Sequence, residues 1–377
     1  MGVAVALAIP LTLNSLREGV IRASGIFDLL ITAKGSPTQA VLNTLFLQEA
    51  PLGNIPYSLY QKLSQDYRTR RAIPLGFGDN YNGFPLVGTT AGFFELREKR
   101  SHPPFYRTRQ GRLFKGDFEA VLGAQAARVT GLKLGDQFSS AHGMVPALEE
   151  QAHSDKYTVV GILAPTGAPG DRGIYASLES IWEVHHEAVT EAHQDEHQRE
   201  VTAILYTPKQ LGYVYQLAST LKDGKEAQGV FPGQVIGRML DLMGQGRAGY
   251  AVIGSLVLLM ALATVAVNTY AAAVAGQRNL AVLRAIGAKN ATVLGVVLLE
   301  ACVIAGAGVL LGLLLAYAGT LLAGQLVSQR VGLVLPLPML EASDLLRALL
   351  ILPVAVLFSL TPALLATKRS PLANLSK

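Results

Sequence analysis

The chain has 377 residues, half of them hydrophobic and only 16% charged, against about 25% charged in an ordinary soluble domain. Its single cysteine, Cys302, excludes a disulfide framework and any cysteine-built zinc site. The net charge of +5 is not a domain-wide basic surface: residues 1–274 hold 24 basic and 24 acidic residues, and residues 275–377 hold 8 and 3. Without a basic face to neutralise phosphates, nucleic-acid binding is excluded.

The chain opens on a short apolar stretch, Met1 to Leu13, closed by Asn14 and Arg17. At about 1.5 Å per residue it covers only roughly 20 Å of helix, too little to cross a bilayer. It has neither the basic leader nor the small-residue cleavage site of a signal peptide. Residues 1–14 therefore read as part of a first membrane helix whose start is lost or misassigned, Pro10 being tolerable there.

Residues 15–245 read as a mixed α and β extracytoplasmic domain. Strands are expected at Phe27–Thr32, Phe84–Thr89, Glu119–Gly123, Tyr157–Leu163 and Val201–Tyr206, each closed by Gly, Pro or polar residues. Helices are expected at Pro56–Tyr67, Ala124–Thr130, Ser177–Glu200 and Lys209–Lys222, and Leu132–Phe138 carries a Gly-Asp turn signal of the hairpin kind. From Pro232 onward, Ile236, Leu240 and Met243 share one helical face. This predicts a stalk running into the next membrane helix, broken or kinked near Gly244 and Gly246.

Four of the seven histidines fall in HHEAVTEAHQDEH, from His185 to His197, within a run rich in carboxylates. If the run is helical, His186, His193 and His197 share a face. Three neutral imidazoles, with a carboxylate or water as fourth ligand, suit Zn²⁺. The candidate metal ligands are thus His185, His186, His193 and His197; the alternative is a solvated, His-rich charged segment. His102, His142 and His153 are scattered in polar loops and carry little weight.

The last third is membrane-like. Ala248 to Gln277 contains no charge, Asn290 to Gln329 only Glu300, and Ala348 to Thr367 none. Runs of this length and polarity predict spanning helices at 248–276, 291–323 and 345–367. The loop 277–290 carries Arg278, Arg284 and Lys289 with no acid, and the tail 368–377 carries Lys368, Arg369 and Lys377. The positive-inside rule puts both in the cytoplasm and residues 15–245 outside. The fold class expected is therefore an α-helical membrane protein with four transmembrane helices, the first truncated, and a large α+β extracytoplasmic domain between helices 1 and 2.

No phosphate-binding G-x-x-x-x-G-K-[ST], no H-E-x-x-H and no G-x-S-x-G occurs, so nothing supports an enzyme or an ATP site in this chain. In the loop RNLAVLRAIGAK, Leu280, Leu283 and Ile286 recur on one helical face and Gly287 supplies a stop. Such a helix either lies passively in the headgroups or acts as a lever for a cytoplasmic partner. In the third span, Gly308 and Gly312, with Gly306 beside them, suit close helix packing, and Glu300 is its one ionisable group.

Here the sequence resembles the MacB/FtsX-like permeases, membrane subunits of ABC systems that include lipoprotein-releasing and macrolide-export members. The resemblance is carried by R-x-L-A-x-L-R-A-I-G-A (Arg278 to Ala288), by Glu300-Ala301, and by the tail PALLATKRSPLANL (Pro362 to Leu375). GRLF at 111–114, EAVLG, LKLGD and YTVVGIL resemble the family's periplasmic core. The resemblance implies that Arg278, Asn279, Leu280, Leu283, Arg284, Ile286, Gly287 and Lys289 form a coupling helix on a partner ATPase. It also implies a second permease copy or related permease, a bacterial inner-membrane location, and no cofactor in this chain, since ATP and Mg²⁺ are held by the partner. Asn279 departs from the family, which commonly has an acid there. E-S-I-W-E-V-H (Glu179 to His185) followed by a His-rich run resembles a subgroup that accompanies zinc-uptake or zinc-homeostasis components. The functions implied are export, extraction or mechanotransmission driven by a partner's ATP hydrolysis. The alternatives are a non-transporting signalling subunit acting on a periplasmic partner, and a component of a zinc system.

Overall fold

The computed structural model describes residues 25–99, 101–143, 153–186, 199–275 and 286–331, together with isolated positions at 4, 8, 11, 12, 15, 282, 349, 353, 356 and 357. The chain divides into two units. One comprises Arg17–Asp241 with Leu326–Leu335; the other comprises Met1–Leu16, Leu242–Gln325 and Pro336–Lys377.

In chain order the first unit contains β1 (Leu29–Thr32), α1 (Pro37–Phe46), β2 (Ile55–Pro56), α2 (Tyr57–Gln65), β3 (Thr69–Tyr81) and β4 (Phe84–Thr89). There follow β5 (Thr108–Gly111), β6 (Glu119–Leu122), α3 (Ala124–Thr130), β7 (Gln137–Phe138), β8 (Ala141–His142) and β9 (Tyr157–Leu163). The set closes with β10 (Ile174–Ser177), α4 (Leu178–His186), β11 (Glu200–Val201), β12 (Ala203–Pro208), α5 (Leu211–Asp223) and β13 (Gln228–Val230). The main sheet runs β13-β1-β12-β3-β4-β10-β6-β9-β5, with β7 on β9 and β8 on β3. Most pairs are antiparallel; β4–β10 and β6–β9 are parallel. β2 and β11 form a separate pair.

β1, β4 and β10 are buried on both faces, because successive side chains point to opposite sides of the sheet and both sides are covered there, whereas the edge strand β5 is exposed throughout. Leu30 packs with Leu75 and Leu205 against α1 residues Val41 and Leu45. Its neighbours Leu29 and Ile31 pack the other way, with Leu63 of α2 and Val214 and Leu221 of α5. α1 has a readable start: Ser36 Oγ accepts from Gln39 N at 3.3 Å and Pro37 occupies the first turn, where its missing N–H costs nothing.

β4 and β9 match the expected strands in full, and α3 the expected helix. β1, β6, β12, α2 and α5 lie within about two residues of the expected elements, and three features differ. β3, the 13-residue strand beside β12 and β4, is absent from the sequence reading, because its Arg, Pro, Gly and Asp content masks it. The Gly-Asp signal makes a turn, with Asp136 N donating to Lys133 O at 3.1 Å and Gly135 at φ 87, but not a hairpin. β7 instead pairs with β9. The helix expected from Ser177 to Glu200 is described only to His186, and Glu200 lies in β11, paired with Pro56.

α6 (Pro232–Ala275), which enters the second unit at Leu242, and α7 (Asn290–Val331), which lies in it up to Gln325, are long apolar helices. α6 is helical through Gly244 and Gly246, so the break expected there is not present. At its start Val235 and Ile236 are buried in the sheet core, with Met239 and Leu240 half-buried against it. On α7 only Leu294–Val327 is long and apolar enough, among the described residues, to cross a membrane; Ser255–Asn268 is a shorter apolar stretch of α6. The expected span at 345–367 and the tail 368–377 lie almost wholly outside the described residues.

Candidate metal centre and the permease region

β3 and β8 pair so that Asp79 faces His142 across the ladder, and directly opposed side chains share one face. The β3–β4 register shifts between Phe77 and Asn80, an irregularity of the kind that re-aims a side chain. Gly78 lies close enough to α4 that an added Cβ would sit 3.4 Å from His185 Nε2, and Asp79 Oδ1 lies 3.6 Å from that same nitrogen. Two successive residues of one strand thus meet one helix end, which a regular pleat does not permit. His153 is fixed by its own backbone: its N–H donates to Ser140 O at 2.9 Å.

The result is one carboxylate oxygen facing three imidazoles. Asp79 Oδ1 lies 3.5 Å from His142 Nδ1, 3.5 Å from His153 Nε2 and 3.6 Å from His185 Nε2. One donor atom from each of the four residues falls within 4.8 Å of all the others. The His142 and His153 rings meet edge to face at 4.1 Å between centroids. The Asp79 side chain is fully buried, while that of His142 is 52% exposed and forms the solvent side of the cluster.

The polar accounting is incomplete in a specific way. Asp79 Oδ1 and His153 Nε2 are both buried with no hydrogen-bond partner. The other carboxylate oxygen, Oδ2, accepts from the buried Ser140 Oγ at 3.2 Å. Burial raises the Tyr157 hydroxyl pKa, with the Asp79 charge adding to the effect. An unpaired buried carboxylate oxygen is costly. A cation among these four atoms would satisfy it.

Of the proposed metal ligands, the structure brings only His185 into this cluster. His186 ends α4, and His193 and His197 lie outside the described residues. The low weight given to His142 and His153 is corrected: they converge with His185, whereas His102 stands apart, 3.4 Å from Glu98. The residues missed are Asp79, His142 and His153. The available signal was an aspartate inside a strand of Gly and apolar residues, which needs a buried partner, and a histidine four residues before the YTVVGIL strand.

On α7 one face is buried within the chain. Ala305, Val309, Gly312, Ala316 and Thr320 are buried, at spacings of three and four residues along one helical face. Leu11 packs against Val309 and Ala316, and Thr12 Oγ1 meets Thr320 Oγ1 at 3.4 Å. Gly312 lies on this face; Gly308 is exposed, as is Glu300. Of the coupling positions, Ile286, Gly287 and Lys289 are described. Ile286 N donates to Val282 O at 3.1 Å, Ile286 is 77% exposed, and Gly287 has φ 99, as a left-handed helix stop requires. Arg278, Asn279, Leu280, Leu283 and Arg284 lie outside the described residues.

The α+β domain is thus followed in the chain by long apolar helices, one of which, among the described residues, is long and apolar enough to cross a membrane. Residues 251–371 match the family described as FtsX-like permease C-terminal, in keeping with the FtsX-like part of the resemblance read from the sequence. No curated protein matches the chain. Among solved structures, the periplasmic region of MacB from Actinobacillus actinomycetemcomitans is 14% identical, with 58% of this chain and 95% of that one covered and a TM-score of 0.37. The extracellular domain of the noncanonic ABC-type transporter YknZ from Gram-positive bacteria is 11% identical, with 54% and 98% covered and a TM-score of 0.32.

Proposed function

We propose that this chain is the permease subunit of an ABC complex, converting ATP hydrolysis by a separate cytoplasmic ATPase into movement of the α+β domain on the far side of the membrane. The observation that carries this is the FtsX-like permease match over 251–371, which spans α7 and the basic loop before it. In this reading four spans (1–14, 248–276, 291–323 and 345–367) hold the domain 15–245 outside the cytoplasm. The loop 277–290 takes force from the ATPase: Leu280, Leu283 and Ile286 form its apolar docking face, and Arg278, Arg284 and Lys289 its charged rim. Gly287 ends the helix, and Asn279 stands where the family commonly has an acid. α6 passes the movement outward. The chain itself performs no catalysis and works as a dimer with a second permease copy or a related permease in a bacterial inner membrane. Supporting a force-transmitting role over a hydrophilic conduit, the spans carry only two charged residues, Glu300 in the third and Arg347 at the start of the fourth, and offer no continuous polar route.

The test is reconstitution of the full chain in lipid with its ATPase. The wild-type complex should hydrolyse ATP faster than the ATPase alone, and Arg284→Glu should abolish that stimulation while leaving the permease folded. Stimulation unchanged by Arg284→Glu would remove the loop from the coupling path. Movement of cargo into vesicles on ATP supports export or extraction. A change only in an extracytoplasmic partner's activity supports the signalling form.

A further inference from the structure

We infer that Asp79, His142, His153 and His185 are the four ligands of a single Zn²⁺ ion in the α+β domain, forming a closed site that clamps β3, β8, the segment entering β9 and the last turn of α4.

Geometry, chemistry and burial each point to this. Zn–N and Zn–O bonds of about 2.0–2.1 Å put tetrahedral ligands about 3.4 Å apart. The three separations from Asp79 Oδ1 are 3.5, 3.5 and 3.6 Å. The remaining donor separations are within 4.8 Å, and the half-exposed His142 ring is free of close packing on its solvent side. Three imidazoles and one carboxylate are a borderline set that suits zinc, whereas Ca²⁺ and Mg²⁺ require oxygen ligands. Two of the four donor atoms are buried and lack any hydrogen-bond partner, as ligand atoms facing an ion must. Ser140 Oγ, donating to the non-ligating Asp79 oxygen at 3.2 Å, is the outer partner that fixes a metal-bound carboxylate. Four protein ligands leave no open position, so the site is structural or regulatory and not hydrolytic.

The alternative is a proton-linked network in which imidazolium ions neutralise Asp79. One carboxylate compensates one of them, and further protonation places like charges within 4.8 Å of each other. A single divalent ion neutralises the carboxylate and satisfies all three lone pairs together.

The inference does not rest on the permease reading, because metal binding needs no ATPase. The full chain, purified in detergent and stripped with a chelator, is titrated with Zn²⁺ alone, and bound metal is measured by mass spectrometry and calorimetry. Expected are one Zn²⁺ per chain and a Tm that rises with free Zn²⁺. Co²⁺ in its place should give the intense visible bands of a four-coordinate ion, a readout independent of activity. His142→Ala, chosen because its exposed ring is the least important to packing, should lose the Co²⁺ spectrum. Ser140→Ala should weaken Zn²⁺ binding about 10–100-fold. His193→Ala with His197→Ala should change neither. No stoichiometric Zn²⁺, a six-coordinate Co²⁺ spectrum, binding unaffected by His142→Ala, or binding lost instead in the His193/His197 variant would each overturn the assignment.

Discussion

In the α+β unit the large apolar side chains point inward, and in the helical unit they point outward. Leu122 of β6 has no exposed surface, whereas Leu314 of α7 is 67% exposed. The helical unit is also the richer of the two in apolar residues. In the first, burial from water is the driving force, and β1, β6 and β10 are covered on both faces. In the second, the buried face of α7 is a stripe of small residues that includes Ala305, Gly312 and Ala316, while its large leucines are exposed. One composition figure, half hydrophobic, therefore conceals two different structural economies.

The sharpest way to break this contrast is to shorten one leucine in each unit. Leu122→Ala should cost about 2–5 kcal/mol by leaving a cavity in the sheet core. Leu314→Ala should change stability by less than about 0.5 kcal/mol. Thermal unfolding of the full chain in detergent, with proteolysis to report each unit, measures both; equal effects would erase the distinction.

Overpacking the small-residue stripe comes next. Ala316→Leu should cost about 1–3 kcal/mol, and Ala318→Leu, two residues on and exposed, should cost little. Oxidative cross-linking of Thr12→Cys to Thr320→Cys, whose hydroxyls are 3.4 Å apart, should fall in yield only with the first.

A backbone test within the sheet follows. Asn82 and Gly83, at φ 50 and 77, form the two-residue turn between β3 and β4. A Cβ at a left-handed position costs about 1–2 kcal/mol, so Gly83→Ala should destabilise the α+β unit by that amount and leave the helical unit unaffected.

The smallest effect expected is electrostatic. Arg112 pairs with Glu119 through two hydrogen bonds, at 2.7 and 2.5 Å, and Lys115 N donates to the same carboxylate at 2.8 Å. The Arg112 hydrogen bond, against the opposing effect of desolvation, lowers the Glu119 pKa from 4.5 to about 2. A depressed folded-state pKa means stability that is present above pH 4.5 and is lost as pH falls through about 2. Glu119→Gln should flatten the pH dependence of unfolding in that window, and an unchanged slope would show that the pair contributes nothing.

The parts of the fold legible in the sequence were those with unmixed signals. YTVVGIL reads as a strand because β-branched and apolar residues fill it, and FPLVGT because turn residues bound it. TRRAIPLGFGDNY does not, although it is the strand that holds Asp79. Its arginines lie at the outer end, its glycines admit α4, and its aspartate serves the cluster, so each residue that obscures the strand has a tertiary reason to be there. Asn82-Gly83 was the local clue to the β3–β4 hairpin. The metal cluster was legible only as ingredients. A local run of histidines draws attention by density, whereas this site is assembled from positions 79, 142, 153 and 185 by strand pairing, a register shift and the end of a helix.

The proposed function puts the basic loop on the ATPase side of the membrane and the α+β domain on the other. Thiol labelling tests it directly. In a Cys302→Ser background, which removes the only cysteine, single cysteines are placed at exposed Lys133 and at Lys289. A membrane-impermeant maleimide should label Lys133→Cys in intact spheroplasts and Lys289→Cys only after permeabilisation. Labelling of both in intact spheroplasts, or of Lys289→Cys alone, would contradict the account.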